Sequence, residues 1–217
     1  MIPLDGSPLA EGALPRATAL ARRWNAELLL VRVCDPSASV APELSPGLRE
    51  KMLDLSRNSA IEYLSQVQLR YPDINIRCRH SLGRPRQEIA RLSAEADCDL
   101  IVMVSHARKG AERWLLGSVA EGVLRRATCP ILLLRSGETE PAPFTRILVP
   151  LDGSPASLTV LARIHPFLEG QTQVQLFQSS GFDPHDLALS EDSEALQHCL
   201  DQMATQLREI TLGDCQL

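Results

Sequence analysis

The chain has 217 residues, 44% of them hydrophobic and 23% charged, and 22 lysines and arginines against 27 aspartates and glutamates leave a net charge of -5. That length exceeds one domain of roughly 100–150 residues and falls short of two near 150 each, so one complete domain plus a remainder is expected. The composition excludes a disordered chain, a collagen-like repeat and a membrane protein, and an acidic balance without a clustered basic face argues against nucleic acid as a partner.

Pro3-Leu4-Asp5-Gly6-Ser7-Pro8 stands almost at the start of the chain, with only Met1 and Ile2 ahead of it. It reads as the end of a short first strand followed by a helix, with Ser7 as N-cap and Pro8 at the first helical position. The continuously apolar runs Ala26–Val33, Leu100–Val104 and Pro130–Leu134 predict strands covered on both faces, as in a parallel sheet flanked by helices. Ile74–Ser81 is a weaker, alternating strand. Between the strands, Gly47–Tyr71 has helical period, with Leu48, Met52, Leu53, Ala60, Leu64 and Val67 as its apolar stripe. Arg86–Ala96 and Leu116–Ala127 repeat that period over shorter lengths. Residues 1–135 therefore predict alternating strands and helices in a doubly wound parallel sheet with right-handed crossovers.

Ser136–Phe144 is rich in Gly, Pro and acidic residues and reads as a linker. Beyond it the opening block recurs as Pro150-Leu151-Asp152-Gly153-Ser154-Pro155, with Leu14 and Arg16 matched by Leu161 and Arg163. A strand at Ile147–Leu151, a helix around Pro155–Leu168, a strand at Gln173–Ser179 and a helix Glu194–Ile210 are predicted. Nothing after them corresponds to the stretch 100–134, so residues 145–217 read as an incomplete second copy. Cys34, Cys78, Cys98, Cys129, Cys199 and Cys215 stand singly in apolar segments without a C-x-x-C pair. They read as reduced, mostly buried thiols of a cytoplasmic protein.

These blocks resemble the universal stress protein family. The likeness rests on the I/V-P-L-D-G-S strand ends at 2–7 and 149–154, on Leu100–His106, and on Trp114–Arg126 followed by Cys129–Leu134. The resemblance implies a Rossmann-like, five-stranded parallel sheet in the order 3-2-1-4-5. It also implies an adenine nucleotide, ATP or a related one with magnesium as companion ion, at the carboxyl ends of the strands. Asp5 projects into that crevice, either toward a ribose hydroxyl, base amine or metal, or as a turn-forming carboxylate. Gly117 and Ser118, at or near a helix N-terminus, offer free amides, close backbone approach and a hydroxyl to an anion. Arg108, Lys109 and Arg113 either add charge there or are simply solvated.

Nucleotide-binding members carry G-x-x-G, nine further residues and then G-S or G-T. In this chain the first two glycines are replaced by Val104 and Ala107. The resemblance also sets Val33 and Met103 against an adenine and Val119 beside the phosphates, although all three equally suit a core. No P-loop, dinucleotide fingerprint, zinc-protease helix or nucleophile elbow occurs, and the five histidines lie at no metal-ligand spacing. His106, the one histidine near the crevice, reads either as an acid/base or as a loop residue satisfied by backbone. Two functions follow. One is a nucleotide-binding sensor or regulator, with no catalytic residues and no metal site; the other is a stress protein that binds no nucleotide and acts through protein contacts. The apolar strand Pro130–Leu134 at a sheet border predicts a homodimer.

Overall fold

The computed structural model of the chain describes residues 1–39, 45–105, 116–137, 143–152, 154–169, 172–178 and 205. It divides into two compact units, Met1–Pro141 and Ala142–Leu217. The fold is mixed α/β with parallel strands throughout.

In the first unit β1 (Ile2–Pro3) pairs with β2 (Leu28–Cys34), and β2 pairs along its whole length with β3 (Ile76–Leu82). A second ladder joins β4 (Ile101–Ser105) to β5 (Ile131–Arg135). Two backbone hydrogen bonds bring the ladders together. The Val102 amide donates to the Met1 carbonyl at 2.9 Å, and the Met1 amine donates to the Leu100 carbonyl at 2.7 Å. They join the chain just ahead of β1 to the start of β4.

Helices cover both faces because successive strand residues point to opposite sides. Leu28 and Leu30 of β2 and Val102 and Val104 of β4 share one core with Leu14, Ala17 and Ala21 of α2 (Leu14–Trp24) and Leu64 and Val67 of α4 (Pro46–Leu69). Leu29 and Val31 of β2 and Ile101 and Met103 of β4 face the other way. They pack against Ile89 and Leu92 of α5 (Pro85–Glu95) and Ala120 and Val123 of α6 (Ser118–Leu124). The apolar runs in the sequence are continuous for this reason: each strand supplies two cores.

Three expectations need correction, and one short helix was not expected. The first helix is broken into α1 (Pro8–Glu11) and α2, since Pro15 has no N–H with which to continue a helix and stands instead in the first turn of a new one. A short helix α3 (Pro36–Ser39) follows β2. Leu48 lies on the predicted stripe of α4 yet is 47% exposed, and only Ala60, Leu64 and Val67 of that helix are buried. The Cys34 thiol, at the end of β2, lies 3.9 Å from the Ser56 carbonyl, so the turns ahead of Ser56 run past the strand and have no sheet beneath them. The thiols of Cys34, Cys78, Cys98 and Cys129 are free, but Cys78 is exposed and the other three are only half-buried.

The second unit pairs β6 (Arg146–Leu151) with β7 (Gln173–Gln178), and α7 (Pro155–Ile164) closes over Val149 and Leu151 through Leu161. The helix ends at Ile164 and a 3₁₀ turn at His165–Phe167 follows it, where the sequence predicts helix to about Leu168. The expected helix 194–210 lies outside the described residues apart from position 205, and Cys199 and Cys215 lie outside them too.

Candidate functional site

The carboxyl end of β1 runs into a tight turn. The Ser7 amide donates to Asp5 Oδ1 at 2.8 Å, and Ser7 Oγ accepts from the Ala10 amide at 3.2 Å, with Pro8 in the first turn of α1. Gly6 has φ +86°, a conformation that side chains with a Cβ rarely adopt. Asp5 is therefore turn-forming, and the same carboxylate also stands at a cleft. The second unit repeats the device: Ser154 donates its amide to Asp152 Oδ1 at 2.9 Å and accepts from the Ser157 amide at 3.2 Å.

The cleft encloses about 640 Å³ at the carboxyl ends of the strands. Its walls are Pro3 of β1, Leu4 and Asp5 just after it, Ala10 of α1, Val31 and Val33 of β2, Pro85 and Ile89 of α5, Met103 and Val104 of β4, and Leu116–Ala120 at the start of α6. Open α/β sheets form such crevices where neighbouring strands send their chains to opposite faces. Here β1 continues into α1 while β4 leads toward α6.

Seven residues singled out from sequence line this one cleft: Asp5, Val33, Met103, Val104, Gly117, Ser118 and Val119. The eighth, Ala107, lies outside the described residues, as do His106, Arg108, Lys109, Gly110 and Arg113. Gly117 is the N-cap of α6 with φ -60° and ψ 151°, and no side chain caps the helix. The first amides of α6 thus have no intrahelical partner and open at the cleft wall. Val104 continues β4 in register with Leu134 and is 8% exposed within the α2–α4 core. A strand conformation suits valine, so its replacement of the family's glycine carries no backbone strain.

Apolar side chains form most of the wall. Asp5 is the only ionisable side chain among the described lining residues, and Ser118 supplies the only hydroxyl. An apolar slot beside a carboxylate and a helix start suits a flat, largely apolar group carrying an anion at one end. Among the described residues no group of three His, Cys, Asp or Glu side chains could hold a metal ion, and no helix is long and apolar enough to cross a membrane.

Among the wall residues that sequence reasoning missed are Val31, Pro85 and Ile89. Val31 was available from strand alternation, two residues before Val33 on the same face. Pro85 and Ile89 lie one helical turn apart, and a side-chain bond fixes the start of α5 to the strand before it: the Ser81 hydroxyl at the end of β3 donates to Glu88 Oε2 at 2.5 Å. The Arg91 guanidinium and then this hydroxyl hold the Glu88 carboxyl below the usual range.

Residues 1–135 match the model of the Universal stress protein family. A universal stress protein of Methanocaldococcus jannaschii is 32% identical over 142 residues, covering 64% of this chain and 83% of that one. Among solved structures, a universal stress protein of Lactobacillus plantarum is 28% identical with a TM-score of 0.53, covering 62% of this chain and 94% of that one. One of Archaeoglobus fulgidus is 20% identical with a TM-score of 0.64, covering 91% of this chain and 72% of that one, a likeness of fold alone.

Proposed function

The chain belongs to the universal stress protein family, and from that premise we propose that its first unit binds an adenine nucleotide, ATP or a related one, in the cleft between β1 and β4. The observation that carries the reading is the set of walls itself. Apolar Val33 and Met103, the Asp5 carboxylate and the uncapped start of α6 at Gly117 border a single space large enough for a nucleoside. In this reading the base lies against Val33 and Met103, and Asp5 meets the ribose or the base amine. The phosphates lie at Gly117, Ser118 and Val119, with Val104 on the wall beside them.

The bound nucleotide acts as a signal in a cytoplasmic stress response and is not turned over as a substrate. No histidine or lysine stands with Ser118 among the described lining residues and the Asp5 carboxylate is engaged by the Ser7 amide, so the walls serve binding better than acyl or phosphoryl transfer. We read residues 145–217 as an incomplete second repeat, supported by the Asp152–Ser154 turn and the β6–α7–β7 order that repeat Asp5–Ser7 and β1–α–β2. The chain forms a homodimer along β5, an apolar strand with β4 on one side only among the described residues.

One observation favours a rival reading, in which the cleft holds no nucleotide and the protein works through contacts with other proteins: Val104 puts a branched side chain on the cleft wall at the position where the family resemblance implies glycine for nucleotide binding. Thermal denaturation of the full chain decides between them. ATP at a hundred times its dissociation constant should stabilise the fold by about 2.7 kcal/mol. A melting temperature unmoved by millimolar ATP, with or without magnesium, supports the rival.

A further inference from the structure

Arg32 stands between Val31 and Val33 on β2. Both valines line the cleft, so strand alternation turns Arg32 to the opposite side of the sheet. There its guanidinium backs the turn that carries Asp5. A Cβ built on Gly6 would stand 3.1 Å from Arg32 Nη1 and 3.3 Å from Nη2. The same guanidinium rests on the ring of Tyr63, its Cζ 4.8 Å from the ring centroid, within the range where a cation is held by an aromatic face. Tyr63 is fixed in turn: its hydroxyl donates to Glu11 Oε1 at 2.9 Å, and the other Glu11 oxygen pairs with Arg70 at 2.9 Å. A chain of contacts thus runs from α4 through Glu11 of α1, Tyr63 and Arg32 to the cleft turn.

We propose that Arg32 is a positioning residue for the cleft: clamped on Tyr63, it holds the Asp5-Gly6-Ser7 turn from behind and so aims the Asp5 carboxylate. Glycine at position 6 is then required twice, for its positive φ and for the space that the guanidinium fills. The effect of Arg32 on the turn stands on this geometry alone; its effect on ligand affinity rests on the nucleotide reading above.

Amide hydrogen exchange followed by NMR tests it on the full chain, with the Ser7 amide, bonded to Asp5, as reporter. Arg32→Met keeps the stem and removes the guanidinium, and Tyr63→Leu removes the ring. Each should speed exchange at Ser7 by about fivefold while the amides of β2 keep their wild-type rates. Tyr63→Phe, which keeps the ring and loses only the hydroxyl, should restore slow exchange. ATP affinity should weaken in the same order. Ser7 exchange unchanged in both Arg32→Met and Tyr63→Leu overturns the proposal. Faster exchange at Ser7 in a protein whose wild type does not bind ATP upholds the role of Arg32 in the turn and removes the nucleotide reading instead.

Discussion

Gly122 of α6 lies so close to Arg86 of α5 that a Cβ on the glycine would stand 2.6 Å from the Arg86 Cβ and 2.8 Å from its Cδ. Those two helices supply Ile89 and Ala120 to facing parts of the cleft wall, so the absence of one methyl group sets how closely the wall closes.

Gly122→Ala separates packing from helix propensity. Propensity alone favours alanine by about 1 kcal/mol in a helix interior. Overpacking against the Arg86 stem costs about 1–3 kcal/mol. The expected net result is a less stable protein with a lower urea midpoint; a more stable variant would show that α5 and α6 part without cost.

Gly117→Asp should move stability and binding in opposite directions. An aspartate N-cap accepts from the free amides of α6 and meets the positive end of its dipole, which stabilises the apo protein by a few tenths to about 1 kcal/mol. The same carboxylate occupies the place of the phosphates. The expected outcome is a higher melting temperature without ligand and no further rise with ATP. A variant that keeps the full ATP-induced shift would move the anion elsewhere.

Val104→Ala tests whether the missing glycine of the family pattern matters. Removing two buried methyl groups from the α2–α4 core should cost about 1–3 kcal/mol in chemical denaturation. If those methyls crowd the ligand, ATP binds the variant more tightly in calorimetry despite the lost stability. Equal affinity in both proteins would mean that Val104 belongs to the core alone.

The repeated turn has its own pH signature. The Ser154 hydroxyl and amide, then the Ser157 hydroxyl, bring the Asp152 carboxyl down to about 2. A carboxyl lowered in the fold contributes stability that is present above the unfolded value near 3.8 and lost as pH falls through about 2. Carbon-detected NMR titration should give Asp152 a midpoint near 2, rising toward the ordinary value in Ser154→Ala. A midpoint already near 3.8 in the wild type would mean that the turn does not persist in solution.

Much of this was legible because one signal served two levels. The apolar runs fixed strand positions to within about two residues, as at β4, expected at Leu100–Val104 and found at Ile101–Ser105. The short motifs Asp5-Gly6-Ser7 and Gly117-Ser118 marked helix starts through local capping chemistry, and both starts border the cleft. What escaped depends on tertiary context. Leu48 follows the helical period perfectly well, but a period cannot say where the sheet beneath the helix stops. Cys78 sits in a strand with Arg77 and Arg79 beside it and is exposed, because β3 has β2 on one side only among the described residues. Arg32 gave no sequence signal at all: its partners Gly6 and Tyr63 lie 26 positions before it and 31 after it, and only the fold brings them together.

The central claim, that an adenine nucleotide occupies this cleft, is met most directly by titrating ATP into ¹⁵N-labelled protein and following amide resonances. The account predicts saturable shifts at Asp5, Val33, Met103 and Gly117–Val119, with β3 and the second unit unmoved. Spectra that stay unchanged at millimolar ATP, or shifts that gather away from these residues, would contradict it.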